Sequence, residues 1–240
     1  MQELPRRIPR ARTLITGTET PPEGAARIRV WDIPTRLTHW LLVLLVAISW
    51  WTAESGRLEW HRWSGYTLLG LVIFRLYWGL VGSSTAKFAG FVRGPRSVAS
   101  YLKGGWTATA GHNPLGALSV IALLVLLVAQ ISLGLFAVDI DGIESGPLSL
   151  YVSFEAGRVA AHWHCEVFNV LLGLIALHIV AVAWYVFFGK QKLVAAMVHG
   201  ERAYPPPTPA PVQPASLLRL IMGIVIAAVI TWAVTRAFKF

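Results

Sequence analysis

The stretch VAAHWHCEVFNVLLGLIALHIVAVAWYVFF, residues 159–188, decides the fold. It exceeds the roughly 20 apolar residues that cross a bilayer, and its only acid is Glu166. In hydrocarbon such a run must pair its backbone with itself, so it predicts a membrane-spanning helix. Histidine inside a span is costly and marks function. His164 and His178 are fourteen residues apart. At about 100° per residue that is close to four full turns, so both imidazoles leave one face, roughly 21 Å apart along the axis. Phe168, Leu171 and Ile175 fill that face between them, while His162 falls on roughly the opposite face. Cys165 reads as a small core residue.

Outward from this run, four more apolar stretches recur, at about 37–53, 60–81, 115–138 and 217–240. Of the 240 residues 55% are hydrophobic and 14% charged, against about 25% charged in soluble domains. One cysteine excludes a disulfide scaffold, and the apolar content excludes a disordered chain. The fold class expected is an all-α membrane protein: a four-helix transmembrane bundle plus a fifth C-terminal transmembrane helix.

The net charge of +9 reads as topology, not affinity for nucleic acid. Seven arginines precede or open the first span, and no apolar run follows the start at once, so 1–30 reads as a disordered cytoplasmic tail and not as a cleaved signal peptide. Lys87, Arg93, Arg96 and Lys103 lie between the second and third spans, and Lys190, Lys192 and Arg202 follow the fourth. The opposite side holds Arg57, Arg62, Arg158, Arg236 and Lys239, with Asp139, Asp141, Glu144 and Glu155. This asymmetry predicts a cytoplasmic N-terminus and, with five spans, a C-terminus on the outer side of the membrane. The domains expected are the tail, a membrane domain 31–202, a Pro-rich linker 203–216 read as a plain extended tether, and a helix 217–240 with a small-residue face at Gly223 and Ala227.

Depth then pairs the histidines. His39 and His178 fall at the cytoplasmic level, His61 and His164 at the outer level. Two bis-histidine sites stacked in a bundle suit two haem b groups, whose iron takes axial imidazoles. There is no Cys-x-x-Cys-His for covalent attachment. Arg75 shares the face of His61, with Leu68 and Val72 between, but lies at the inner depth, where its charge either meets an anion such as a haem propionate or snorkels to the inner headgroups. Arg36, Arg62 and Trp40 or Trp63, beside ligands, read either as further propionate partners or as interfacial groups. Trp31, Trp50, Trp51, Trp60, Trp78 and Trp106 read mostly as an interfacial belt. His112 and Asn113 open the third span at the inner depth and could hydrogen-bond a quinone; otherwise Asn113-Pro114 is a helix start.

Several motifs now combine. Val30-Trp31-Asp32-Ile33-Pro34-Thr35-Arg36-Leu37-Thr38-His39-Trp40 and His61-Arg62-Trp63-Ser64-Gly65-Tyr66, continuing to Arg75-Leu76-Tyr77-Trp78-Gly79-Leu80-Val81-Gly82, resemble the b-type cytochrome subunit of nickel–iron hydrogenases. That family is part of the bacterial cytochrome b561 superfamily. Gly111-His112-Asn113-Pro114-Leu115-Gly116, Trp163-His164 and His178 fit the same pattern, so the resemblance covers about residues 28–202. It implies a four-helix core with two haem b groups ligated by His39, His61, His164 and His178. It also implies electron transfer between a redox partner at the outer face, such as a hydrogenase, a c-type cytochrome or another dehydrogenase, and ubiquinone or menaquinone. Such a chain would be the electron-transfer subunit of a quinone oxidoreductase complex, and it could form a homo-oligomer. The fifth span, the Pro-rich linker and the long tail depart from the pattern.

Three other functions fit parts of the chain: a superoxide-to-quinone oxidoreductase, a transporter or metal carrier, and an anchor without redox turnover. The acidic loop between the third and fourth spans disfavours an anionic substrate, and the scarcity of carboxylates disfavours a metal carrier.

Overall fold

The computed structural model describes residues 25–104, 110–141 and 144–237. Most of the expected tail, Trp106 and Lys239 lie outside these. Helices α1 (Ile33–Glu54), α2 (Leu58–Val81), α5 (Pro114–Phe136), α6 (Phe154–Phe187) and α8 (Leu217–Thr235) are long and apolar enough to span a membrane. Short elements occupy one end: β1 (Ala26–Arg29), α3 (Phe88–Phe91), α4 (Pro95–Leu102), α7 (Leu193–His199) and β2 (Glu201–Tyr204).

The helix starts are written in the sequence. Asp32 accepts the Thr35 N–H with Pro34 in the first turn, and Asn113 accepts the Gly116 N–H just before Pro114. Ser153 and Ser216 cap α6 and α8 in the same way. Each cap satisfies a donor that would otherwise be orphaned at a membrane boundary.

The close helix pairs are α1 with α2, α5 with α6, α2 with α5, and α2 with α8. Two hairpins therefore meet through α2 and α5. An apolar layer fills the middle of the four-helix core: Val72, Leu127 and Leu171 are buried, and Leu42, Val46, Phe168 and Ile175 pack on them. This is the spacer expected between the two histidine levels. Helix α6 turns His164, Phe168, Leu171, Ile175 and His178 inward and leaves His162 and Cys165 exposed. Cys165 is thus not a core residue; it falls on the outward flank of the helix, beside His162. Exposed apolar side chains such as Leu80, Val125, Ile179 and Ile224 form the surface that lipid would cover.

The fifth helix docks on α2 through small residues. A Cβ on Gly223 would stand 2.7 Å from the Tyr77 ring, Ala227 is buried against Phe74 and Trp78, and a Cβ on Gly70 would meet Thr231.

Two expectations change. Residues 26–29 belong not to a tail but to a strand, antiparallel to β2 with Ala26 opposite Tyr204 and Arg29 opposite Glu201. The linker is not a free tether: Val212 donates to the Arg29 carbonyl and Gln213 pairs with Ser84. Val30, Trp31, Ala196 and Tyr204 form a small core under this clasp, which caps the end of the bundle that carries His39.

Candidate functional site: two histidine levels

At the first level, His61 of α2 and His164 of α6 face each other. Their ring centroids are 6.0 Å apart and the planes stand at 87°. His61 Nδ1 lies 2.8 Å from the Ser49 carbonyl and His164 Nδ1 lies 2.9 Å from the Gln130 carbonyl. A carbonyl only accepts, so both Nδ1 atoms carry the proton and each Nε2 keeps its lone pair. This is how a protein presents imidazole to a metal, with the far nitrogen pinned by the backbone. The separation is close to two metal–imidazole bonds of about 2 Å each plus two ring radii. The residues therefore fit one iron between them.

Sequence reading missed two residues here. Gln130 is buried, and its amide stands 3.2 Å from His164 Nε2. Gly134 lies one turn on, where a Cβ would come within 2.8 Å of His164 Cε1. The signal for Gln130 was present, as an amide in an otherwise apolar span. Arg62, weighed as a propionate partner, pairs instead with Glu144.

At the second level, His39 of α1 and His178 of α6 are electrostatic neighbours, and Arg75, His178 and His39 all act on His112. Ser119 Oγ lies 3.2 Å from His178 Nδ1. The side chains here hold buried donors that have no acceptor among the described residues: Thr35 Oγ1, Arg36 Nε and Arg75 Nη1 have no partner there, and neither does His39 Nδ1. Arg75 is 6% exposed, and its guanidinium lies 5.0 Å over the Phe88 ring, with Asp32 in electrostatic reach. A buried cation without a bound anion is costly. The donor set therefore fits a group that brings carboxylates, as haem b does with its propionates.

Arg36 has divided duties. Its Nη1 donates to the Val198 carbonyl at the C-terminus of α7, its Nε lies where a Cβ on Gly200 would come within 3.2 Å of it, and Trp40 Nε1 donates to Met197 O at 3.3 Å. His112 lies between Trp31 and Phe91, with ring centroids 4.6 and 4.5 Å away. Burial, then Arg75, His178 and His39, push it down to about 3, so it is neutral at physiological pH. Asn113 has both side-chain ends engaged: Oδ1 caps α5, and Nδ2 donates to Tyr101 OH at 3.0 Å, itself 2.8 Å from Tyr185 OH. Trp31 and Trp78 do not join an interfacial belt. Both are buried, and Trp78 Nε1 donates to Asp32 at 2.8 Å.

Among the described residues no group of three or more His, Cys, Asp or Glu converges as a metal carrier would need. The family model for prokaryotic cytochrome b561 matches residues 30–200. No curated protein and no solved structure matches the chain. The match spans the four core helices and both histidine levels, and the chain belongs to the prokaryotic cytochrome b561 family, as a multi-pass membrane cytochrome that binds haem b and transfers electrons.

Proposed function

We propose that the chain holds two haem b groups, one between His61 and His164 and one between His39 and His178. In this role it carries electrons between a redox partner at the His61 end and the membrane quinone pool near the His39 end. The observation that carries this reading is the His61–His164 pair at 6.0 Å, with both Nδ1 atoms bound to backbone carbonyls. Bound haem b supplies a one-electron carrier at each level. The chain's own residues set its position and surroundings. Arg75, Arg36 and Thr35 offer donors to propionates, and the Val72–Leu127–Leu171 layer keeps water from the space between the levels.

His112 would hydrogen-bond a quinone oxygen; in support, it is neutral, aromatic-flanked, and its Nδ1 has no partner among the described residues. Asn113 holds it there by fixing the start of α5. The di-haem domain takes in 31–202 together with the strand 26–29. Basic residues gathered at the His39 end support a cytoplasmic placement of that end, with the His61 end periplasmic. The acids Asp139, Asp141, Glu144 and Glu155 at the His61 end repel an anion and favour a protein partner over superoxide there.

A pyridine haemochrome assay on purified protein tests the proposal. Two haem b per chain are expected, with a dithionite-reduced minus oxidised spectrum of a b-type cytochrome; one haem per chain would exclude the di-haem reading.

A further inference from the structure

The family match ends at residue 200, yet the residues that follow close the His39 end. The Val212 N–H donates to Arg29 O at 2.8 Å, the Gln213 N–H donates to Ser84 Oγ at 2.9 Å, and the Ser84 N–H donates to Gln213 O at 3.1 Å. Arg219 Nη1 reaches Val81 O, the last carbonyl of α2, at 3.3 Å, and Ala215 and Leu220 pack on the Phe74–Trp78–Ala86 cluster. The prolines at 205, 206, 207, 209, 211 and 214 preset the extended form, so little entropy is lost in laying the segment down.

The anchors at Arg29, Ser84 and Trp78 connect to the site. Arg29 is two residues before Trp31, whose ring covers His112. Ser84 precedes Thr85, which donates to Val30 O at 2.7 Å. Trp78 holds Asp32, which lies in electrostatic reach of Arg75. Ala210, Pro211 and Gln213 also line a cavity of about 210 Å³ together with Phe91, the second ring on His112.

We infer that residues 205–216 are a strap that positions Trp31 and Phe91 around His112 and walls the approach to it. The strap is therefore a positioning element of the His39-level site and not a tether for the fifth helix. The inference rests on the proposed function only in calling that site the quinone end; the strap's hold on His112 is a separate observable.

The test uses full-length, haem-loaded protein. Val212→Pro removes one N–H while suiting an already extended, proline-rich segment, and Val212→Ala keeps the donor. The first readout is the rate at which diethyl pyrocarbonate modifies His112, followed by peptide mass spectrometry. The second is the pair of low-spin EPR signals of the oxidised protein, assigned by which one disappears in His61→Ala. Val212→Pro is expected to raise His112 modification roughly fivefold, the worth of one backbone hydrogen bond. It should shift the His39-level signal and leave the His61-level signal in place, while Val212→Ala behaves as the parent protein. Equal rates and signals for the Pro and Ala variants would overturn the strap. Should the Pro variant fail to fold, Ser84→Ala, which removes the acceptor for Gln213, carries the same expectation and the same refutation. A single low-spin EPR signal in the parent protein would count against the di-haem reading, while the modification contrast would still decide the strap.

Discussion

His61 and His164 present their imidazoles to each other across the bundle at 6.0 Å, each tethered through Nδ1 to a carbonyl on a neighbouring helix. The tethers come from Ser49 on α1 and Gln130 on α5, so all four core helices build this one level. Helix α2 supplies His61 and packs against α1, α5 and α8 at once. The level is therefore part of the framework and not a loop assembled around a cofactor.

The first prediction concerns haem content. His61→Ala and His164→Ala should each remove about half of the haem per chain, and the same half. His39→Ala and His178→Ala should remove the other half. EPR of oxidised membranes distinguishes the two groups. If His61→Ala and His39→Ala abolish the same signal, the pairing by level is wrong.

Gly134 offers a sharper test of the same geometry. A side chain there must displace the His164 ring, because its Cβ would stand 2.8 Å from Cε1. Gly134→Val should lose the His61-level haem while the His39-level haem stays, since the apolar spacer separates them. The helix itself should survive, because valine is no worse a helix former than the glycine it replaces in the last turn of α5. Retention of both haems would show that the ring can move without loss of ligation.

These features differ in how far the chain announces them. The spans and the phasing of His164 with His178 are local properties of composition and period, so they are readable. So is the start of α5, since Asn-Pro signals a cap followed by a first-turn proline. The cap at the His39 end is different. Its strands are four residues each, drawn from sites far apart in the chain, and neither has a pattern of its own. Trp31 and Trp78 look like interfacial residues because they sit near span ends. Only the packing of β1 and Asp32 shows that they are interior. The linker's prolines declare an extended form but not its partners, Arg29 and Ser84, which are non-local.

Arg75 should control the potential at the His39 level. A buried positive charge disfavours the oxidised, more positive iron, so its loss should lower the midpoint potential there. Arg75→Gln keeps a polar side chain of similar reach, and a fall of about 60 mV corresponds to about 1.4 kcal/mol for a one-electron couple. Arg75→Lys should recover part of this, since it keeps the charge but lacks the bidentate fork. Redox titration of the alpha band measures both. An unchanged potential in Arg75→Gln would place the guanidinium away from the propionates.

His112 gives a prediction with a defined pH window. Burial and the neighbouring Arg75, His178 and His39 hold it down to about 3, whereas an unfolded histidine titrates near 6.5. Between these values the unfolded chain binds a proton that the folded chain refuses. Stability contributed by neutral His112 is therefore complete above about pH 6.5 and is lost as pH falls toward 3, by up to about 1.4 kcal/mol per unit. His112→Phe removes this liability while filling the space between Trp31 and Phe91. Thermal unfolding at pH 7 and pH 5 should show a larger drop for the parent protein than for His112→Phe. The same variant should keep both haems but slow quinone turnover, because the ring can no longer hydrogen-bond a quinone oxygen. Because His112 stays neutral from pH 6 to 8, its titration should add no inflection to the turnover profile in that range. A variant with unaltered quinone turnover would remove His112 from the quinone site even if its effect on acid stability were as expected.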